Sequence, residues 1–486
     1  MMQVISIEFL LFILVSALVY YILPGKIRYI WLLAASYFFY MCASPVYALF
    51  LVTSTVSTYV TGFLLQRKRK KLFLVICLLF NLTILGVFKY AGFICGTAAG
   101  ILSLFHVQMA DPSIRFLLPV GISFYMFQAL GYVIDVYRGD ITAEKNPFRY
   151  ALFVSFFPQV MSGPIERAGH MLPQFHNPVP FDPDHVRDGL LRMLWGYFLK
   201  MVLADRIAVL VNTVYADPGH YPGTVLLVTV LLYTFQIYCD FAGYTNIALG
   251  TAGIFGIRVM ENFDSPYLAG NIADFWRRWH ISLSSWFRDY LYFPLGGNRK
   301  GVVRKYLNIM IVFMISGLWH GAGWTFVLWG GLHGLYQVIG RLLMPVRNFM
   351  VKMLHVNRNS FSHRMLKVFI TFSLVSFAWI FFRAGDIGTA LYVAGHLWHF
   401  QPWILTDGTL YKLGLDAANF NLMLLGLAVL FVSDIFHFHG IRISDKIAAQ
   451  GIWFRWLIYM AAVTFIIVCG IWGPGYDTTG FIYYQF

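Results

Sequence analysis

Long apolar runs follow one another along almost the whole chain, separated by short polar stretches. The first, ISIEFLLFILVSALVYYIL (5–23), has no basic stretch before it and no small-residue cleavage site after it. It is therefore predicted to be a retained span and not a removable signal peptide. A helix needs about 20 apolar residues to cross a bilayer. The pattern predicts about twelve spans, near 5–23, 29–43, 46–65, 72–90, 114–137, 193–215, 223–257, 306–320, 322–340, 363–382, 418–435 and 456–472.

Two segments depart from simple spans. Residues 148–164 are apolar but short and end at prolines, which favours a re-entrant piece. The run 223–257 is too long for one straight crossing and carries Asp240 and several glycines. We expect this run to be bent.

An amphipathic helix is predicted over residues 271–293. Asn271 is its expected N-cap, and PLGGN (294–298) ends it. Its apolar face, at spacings of three and four residues, consists of Trp276, Trp279, His280, Leu283, Phe287 and Tyr290. A second face, suited to lipid headgroups or to an anionic ligand, consists of Arg277, Ser284 and Arg288. Because His280 lies on the apolar face, we expect its ring to point into the protein.

Composition and charge support the membrane interpretation. Of 486 residues, 59% are hydrophobic and only 12% are charged, about half the charged share of soluble domains. The formal net charge is +14, but the basic residues form clusters between apolar runs, which is typical of cytoplasmic loops and not of nucleic-acid binding. These clusters are GKIR (25–28), RKRKK (67–71), NRKGVVRK (298–305) and the stretch 341–367. Placing them inside puts the N-terminus outside.

Neither a disulfide framework nor a metal site is indicated. The five cysteines are scattered through apolar segments without a CxxC pattern. The histidines of HLWH (396–399) and FHFHG (436–440) lie at predicted interfaces and do not predict a metal site. No internal repeat or low-complexity linker occurs, so one domain over residues 1–486 is predicted.

His320, in MISGLWHGAGWTF (314–326), is the principal candidate for chemistry. The basic residues Lys305 and Arg341 leave about 35 residues between them, enough for two short helices with GLWHGAG (317–323) at the turn. A rise of about 1.5 Å per residue from Lys305 puts His320 roughly 20 Å into the protein. An ionisable group at that depth is a functional candidate; the alternative is a histidine that only bonds neighbouring helices. For His333, in WGGLHG (329–334), both interpretations stay open.

Several of these stretches together resemble the membrane-bound O-acyltransferase (MBOAT) family, and within it the bacterial alginate O-acetylation branch. The main likeness is NFDSPYLAGNIADFWRRWHISLSSWFRDYLYFPLGGN (262–298) followed by GLWHGAGWTFVLWGGLHG (317–334). The same branch is indicated by PVGISFYMFQALGYVIDVYRG (119–139), FPQVMSGPIERA (157–168), CDFAGYTNIALG (239–250) and FIYYQF (481–486). One departure is Asn246, where many relatives are expected to carry an acidic residue.

The resemblance implies an all-α polytopic membrane protein, with a ring of about twelve transmembrane helices around a central funnel and with re-entrant and interfacial helices. It implies acyl transfer from a cytosolic thioester to a hydroxyl, with His320 at the family's catalytic histidine and His280 at its second recurrent polar position. A hydroxyl is a weak nucleophile near neutral pH and needs a base. A neutral imidazole, which an apolar setting favours, can be that base. His280 is expected to orient His320 or to stabilise the developing oxyanion.

The implied donor is acetyl-CoA, without a further cofactor. Its phosphates would suit basic side chains at the cytosolic mouth, namely Arg277, Arg278, Arg288, Arg299 and Lys300. The other expected substrate-binding residues are Trp279, Trp319 and Asn246.

The terminal stretch GPGYDTTGFIYYQF (473–486) is predicted to belong to the active site. Arg455 at the start of the last span puts the tail on the outer side, and an apolar, aromatic end is unfavourable in water. We expect it to insert towards His320. It is either a plug or, as similar F-[IL]-Y-x-x-F ends in related cell-surface acylation proteins suggest, an acyl relay through Tyr483. A phenol has a pKa near 10, so its ester is more reactive than an alkyl ester.

The predicted function is O-acetyl transfer from cytosolic acetyl-CoA across a bacterial inner membrane to an extracytoplasmic polysaccharide, such as an alginate-like exopolysaccharide, cellulose or peptidoglycan. The resemblance implies a periplasmic SGNH/GDSL-type acetyltransferase-esterase as partner. One alternative is transfer of D-alanine from a carrier protein to teichoic acid. Another, of a different class, is a lipid-linked sugar transporter, because buried ionisable residues and broken helices fit transporters as well.

Overall fold

The computed structural model describes residues 2–106, 119–161 and 163–472 of the chain, and these residues are mainly helical. Within these ranges no strand is formed, and one isolated antiparallel bridge joins Phe263 and Trp279. The α-helices are α1 (Ile7–Ile22), α2 (Arg28–Met41), α3 (Pro45–Leu64), α4 (Lys70–Leu104), α5 (Ile122–Arg138), α6 (Pro147–Ser155), α7 (Phe157–Val160), α8 (Ala168–His176), α9 (Pro183–Tyr197), α10 (Asp205–Ala216), α11 (Gly223–Ile254), α12 (Ile272–Arg278), α13 (Ile281–Phe287), α14 (Gly301–His320), α15 (Trp324–Leu342), α16 (Met344–Met353), α17 (Phe361–Arg383), α18 (Ile387–His396), α19 (Ala417–Phe438), α20 (Ile443–Ala448) and α21 (Ile452–Cys469).

Every predicted span overlaps one or more of these helices. In the described part of the chain, seven helices are long and apolar enough to cross a membrane, namely α3, α4, α11, α14, α17, α19 and α21. The other five predicted spans overlap α1, α2, α5, α15 and the segment from α9 to α10. The protein is therefore a multi-pass helical membrane protein, as predicted.

Two helices continue as π-helical turns. Phe198–Ala204 joins α9 to α10, and Arg288–Tyr292 follows α13. Such turns insert an extra residue into the helical ladder and often occur near functional sites.

The two atypical apolar segments have different outcomes. Residues 148–164 contain α6 and the single turn α7. The nine residues of α6 rise only about 14 Å, less than half of the hydrocarbon core, so this buried piece is too short to cross, as expected of a re-entrant segment. In contrast, α11 is one uninterrupted helix of 32 residues, 78% buried in its most apolar window. No break therefore accompanies the expected bend, which stays a prediction.

The described residues form two compact units. The first contains residues of Met1–Met193 and Thr245–Met260, and the second contains residues of Leu194–Tyr244 and Glu261–Phe486. In the first unit α2 packs against α6, and α3 packs against α5. Every residue of α5 from Ile122 to Val133 is buried, so this helix lies in the core of that unit.

In the second unit α14 and α15 form a close antiparallel hairpin, and α15 packs against α17. Two glycines permit the close approach. A Cβ atom on Gly317 would collide with the carbonyl oxygen of Phe326, and one on Gly330 would collide with that of Phe313. The hairpin therefore brings the end of α14, where His320 lies, against the side chains of α15.

A buried ion cluster, which the sequence pattern does not predict, also lies in the second unit. The Lys200 Nζ atom is 2.8 Å from an Asp205 carboxylate oxygen and 2.7 Å from one of Asp240. All three side chains are at most 5% exposed. Buried charges persist when they are paired in this way, so the cluster links the first π-helical turn and the start of α10 to α11.

Candidate active site

The predicted amphipathic helix over 271–293 is interrupted at His280. The Asn271 side chain accepts a hydrogen bond from the Asp274 backbone amide at 2.9 Å, so the predicted N-cap is confirmed. The prediction of one continuous helix is wrong, because α12 ends at Arg278 and α13 begins at Ile281. His280 has left-handed backbone angles, φ 45° and ψ 54°. Histidine occurs there more often than most residue types, but its surroundings must still hold it in place.

One antiparallel bridge and two backbone hydrogen bonds beside it supply those surroundings. The Asp264 amide donates to the Arg278 carbonyl at 3.0 Å, and the Ile281 amide donates to the Asn262 carbonyl at 3.0 Å. Phe263 and Trp279 form the bridge between these two bonds. The chain from 262 to 280 thus closes into a loop that holds His280 at its end.

The Asn262 side chain lies under His280. Its amide oxygen accepts hydrogen bonds from the Ser282 backbone amide at 3.2 Å and from the Ser282 hydroxyl at 2.7 Å. The His280 Nδ1 atom lies 3.4 Å from the same oxygen. Asn262, His280 and Ser282 are all fully buried, and burial lowers the pKa of His280 to about 3. The His280 ring is therefore neutral near pH 7.

His320 is the last residue of α14 and is 2% exposed. The predicted turn at GLWHGAG is confirmed, because α15 starts four residues later at Trp324. Three aromatic rings, one each from α14, α15 and α17, pack around the imidazole. The ring centroids of Trp319 and Trp329 each lie 5.0 Å from that of His320, and the centroid of Phe382 lies 5.5 Å away.

The structure brings His280 and His320 together. Their ring centroids are 6.3 Å apart with planes inclined by 61°, and Trp319 lies beside both rings. A direct nitrogen-to-nitrogen hydrogen bond of about 3.2 Å, near the long limit, would bring two imidazole centroids to within roughly 5.5 Å. The two rings are therefore not bonded directly.

His333, on α15, lies in the same aromatic cluster. The Trp276 indole N–H donates a hydrogen bond to His333 Nδ1 at 3.2 Å, so the ring proton of a neutral His333 must be on Nε2. The Trp329 ring packs on both His333 and His320. Its centroid lies 5.1 Å from that of His333 and 5.0 Å from that of His320. His333 thus fixes Trp276 and packs on the tryptophan that also contacts His320.

The arginines predicted to bind an anionic donor differ in exposure and in ion pairing. The Arg278 guanidinium is 3.1 Å from the Asp264 carboxylate and 3.3 Å from that of Asp274, so Arg278 stabilises the loop. Arg288 pairs with Asp289 at 2.8 Å. Arg277 and Arg288 have exposed side chains, as do Arg299 and Lys300.

The remaining candidates also differ in position. Trp279 is fully buried and stacks on Phe275 with centroids 5.5 Å apart, so its observed contacts are packing contacts. Asn246 belongs to the first unit, where its side-chain oxygen accepts a hydrogen bond from the Arg192 guanidinium at 3.1 Å. Tyr483 lies outside the described residues. Where the chain is described, no group of three or more His, Cys, Asp or Glu side chains could hold a metal ion.

Sequence reasoning did not identify Asn262, Trp329 or Phe382 as parts of this site. Asn262 stands in a polar stretch, ENFD (261–264), that carries no periodic signal. Only the closed loop brings it to His280, which lies 18 residues further on.

Together the helices and the site define a class: a multi-pass helical membrane protein in which two buried histidine rings lie side by side in an aromatic cluster. Comparison with known families identifies it more closely, because the model of MBOAT, the membrane-bound O-acyltransferase family, matches residues 143–383. The chain belongs to the membrane-bound O-acyltransferase family, as the resemblance predicted. The matched range contains His280, His320 and Asn262.

Three relatives illustrate the range of similarity. The "Probable alginate O-acetylase AlgI" of Azotobacter vinelandii is 35% identical over 426 residues, which cover 87% of this chain and 82% of the relative. The "Peptidoglycan O-acetyltransferase" of Helicobacter pylori is 36% identical over 75% of this chain and 72% of its own length. The "Teichoic acid D-alanyltransferase" of Bacillus subtilis is 30% identical over 60% of this chain and 78% of its own length.

Proposed function

We propose that this membrane-bound acyltransferase is an O-acetyltransferase that passes acetyl groups from cytosolic acetyl-CoA across the bacterial inner membrane to an extracytoplasmic polysaccharide. The acceptor is an alginate-like exopolysaccharide, cellulose or peptidoglycan. The observation that carries the proposal is that an alginate O-acetylase and a peptidoglycan O-acetyltransferase align with 87% and 75% of this chain. A D-alanyltransferase aligns with only 60%.

His320 is the proposed general base. It removes the proton of the attacking hydroxyl, whose oxygen forms the new ester bond to the acetyl carbon as the carbon–sulfur bond breaks. The proton then passes from the His320 ring to the departing thiolate, so no net proton is taken up. The spacing of 6.3 Å between the centroids of His280 and His320 supports this role, because one oxygen between the rings would be within hydrogen-bond reach of both.

The proposed architecture is a single functional domain over residues 1–486, with about twelve helices in a ring around a funnel. The basic clusters face the cytosol and the N-terminus faces outside. The observation in favour is the distribution of basic residues at the ends of apolar helices; RKRKK (67–71), for example, lies where α3 ends and α4 begins, and both helices are long and apolar enough to span. Acetyl-CoA reaches His320 from the cytosolic side in this arrangement.

The exposed basic side chains are the proposed site for the phosphates of the donor. Arg277, Arg288, Arg299 and Lys300 are exposed and remain accessible to an anion. Arg278 contributes less, because it is only partly exposed and is held by the two carboxylates of Asp264 and Asp274, whereas Arg288 is exposed and, among the described residues, pairs with Asp289 alone. Trp319 is the proposed packing surface for the acetyl end, since it contacts both histidines.

Tyr483 is the proposed acyl relay of the outer side. Acetyl transfer to its phenolic oxygen would give a reactive ester. The acetyl group then passes to a serine hydroxyl of a periplasmic SGNH/GDSL-type partner, and the serine proton goes to the Tyr483 phenolate that leaves. The aromatic end FIYYQF supports this proposal. The polysaccharide is thus acetylated by the partner.

A comparison of two donors tests the proposed function. Purified protein is supplied with a periplasmic fraction and with either acetyl-CoA or a D-alanyl carrier protein, and thioester loss is measured. We expect loss of acetyl-CoA only, and no loss above background for His320→Ala. Consumption of the D-alanyl thioester alone would contradict the proposal and favour the teichoic acid alternative.

A further inference from the structure

The orientation of the Asn262 amide is determined by a backbone group. The Ser282 backbone amide lies 3.2 Å from one side-chain atom of Asn262, and a backbone N–H can only donate. The atom facing it must therefore be the amide oxygen and not the amide nitrogen. The Ser282 hydroxyl, at 2.7 Å, donates to the same oxygen.

This orientation determines which nitrogen of His280 carries the proton. The amide oxygen of Asn262 only accepts, and His280 Nδ1 is 3.4 Å from it. The bond forms only if Nδ1 bears the hydrogen. A neutral ring carries one such hydrogen, so Nε2 is left with a lone pair.

We propose that Asn262 is a positioning residue of the acyl-transfer site. Its side chain holds His280 as the Nδ1–H tautomer, so that the Nε2 atom of His280 accepts a hydrogen bond. Of the two roles expected for His280, this tautomer supports the orientation of His320 and opposes donation to an oxyanion. A bridging oxygen accepts the ring N–H of His320 and donates to His280 Nε2. The other nitrogen of His320 then keeps its lone pair for the acceptor hydroxyl.

The catalytic half of this inference rests on the proposed function, but the tautomer does not. The tautomer is measured by ¹⁵N NMR of the full-length protein labelled at its histidines, with the His280 signals assigned by their absence in His280→Gln. We expect a protonated Nδ1 and an unprotonated Nε2 for His280. His333, whose Nδ1 accepts from Trp276, should show the opposite tautomer in the same spectrum. A protonated Nε2 on neutral His280 would overturn the inference.

Two variants of Asn262 test the positioning role. Asn262→Ala removes the acceptor, so we expect a mixture of His280 tautomers and a kcat lowered about 10- to 100-fold, the usual range for a residue that orients a functional histidine. The KM for acetyl-CoA should stay within about twofold, because Asn262 is fully buried and acts through the His280 ring. Asn262→Asp keeps an accepting oxygen and should retain the Nδ1–H tautomer even if the alanine variant does not fold. Loss of that tautomer in Asn262→Asp would overturn the inference.

Ser282→Ala is the matched control. It removes the hydroxyl bond to Asn262 but leaves the backbone bond and the His280 bond. We expect the wild-type tautomer and a kcat within about threefold of wild type. A Ser282→Ala variant as impaired as Asn262→Ala would mean that the cluster is only structural and would overturn the positioning role. If the tautomer is as expected but acetyl-CoA is never consumed, the proposed function fails and the assignment of the tautomer stands.

Discussion

His280 combines a strained backbone with a fully buried ring. Its φ of 45° lies in a region that costs non-glycine residues about 1–3 kcal/mol. The backbone hydrogen bonds between residues 262–264 and 278–281, together with the Asn262 side chain, hold that conformation. The backbone bonds and the Asn262 contact therefore restrict both the main chain and the ring of His280.

The burial of His280 predicts a specific dependence of stability on pH. An unfolded histidine has a pKa of about 6.5, whereas burial lowers that of His280 to about 3. Between these values mainly the unfolded chain binds the proton, so the free energy of unfolding falls as the pH falls, by about 1.6 kcal/mol from pH 6.5 to pH 5. Thermal unfolding in detergent should therefore show a smaller fall for His280→Gln than for wild type over this interval. Equal falls would contradict a neutral buried ring.

Tyr483→Phe separates a relay from a plug. The substitution keeps the aromatic ring and removes only the phenolic oxygen, so a plug would be unaffected. We expect Tyr483→Phe to stop polysaccharide acetylation in cells without lowering the protein level, as measured by released acetate and by immunoblot. Tyr484→Phe is the control and should acetylate normally. Full acetylation in Tyr483→Phe would exclude the relay.

At the scale of single residues, the sequence identifies candidate catalytic residues better than it identifies the residues that position them. His320 can be singled out because an imidazole is costly in an apolar run. His280 can be singled out because it falls on the apolar face of a helical pattern. Asn262 cannot, since an asparagine in a polar loop is unremarkable until the loop closes. The Nδ1–H tautomer depends on that closure.

Among the elements, the segment 271–293 shows what periodicity can and cannot predict. The burial of its apolar face is confirmed for five of the six predicted residues, namely Trp276, Trp279, His280, Leu283 and Phe287, whereas Tyr290 is only half-buried. The continuity of the helix is not, because the Asn262 carbonyl takes the Ile281 amide that a helix would have used. Such competition comes from a distant strand-like segment and leaves no local signal.

The close approach of α14 and α15 predicts a contrast between neighbouring glycines. Gly330→Ala places a Cβ against the Phe313 carbonyl, whereas a Cβ on Gly331 meets nothing within 4 Å. We expect Gly330→Ala to lose about 1–3 kcal/mol through overpacking. Gly331→Ala should be neutral or gain about 0.5 kcal/mol, since alanine favours a helix. Thermal unfolding in detergent is the measurement. Equal unfolding temperatures would show that the hairpin is less close than described.

For the whole molecule, the twelve apolar runs can be predicted to be helical, and each overlaps a helix. Their arrangement cannot be predicted, because hydropathy records length and polarity but not neighbours. The Lys200 cluster is an example. The sequence shows Asp240 as a charged residue in an apolar run, but it does not show which residue pairs with the carboxylate. In the structure that residue is Lys200, which lies in a distant part of the chain.

The charge pattern predicts the orientation of the whole molecule. In a background in which the five cysteines are serine, Lys68→Cys lies in the basic cluster and Gln3→Cys lies near the N-terminus. A membrane-impermeant thiol reagent applied to spheroplasts should label Gln3→Cys and should label Lys68→Cys only after permeabilisation, because basic loops stay in the cytoplasm. The reverse pattern would show the opposite orientation.

The central claim is that His320 is the base for acetyl transfer from acetyl-CoA. Its most direct test is the rate at which purified His320→Ala transfers acetyl groups, compared with wild type at equal amounts of folded protein. Loss of a general base typically lowers a rate about 10²- to 10⁴-fold, and we predict a fall in that range with unchanged thermal stability or a modest change in it. A His320→Ala protein that transfers acetyl groups at a rate near wild type would contradict the claim.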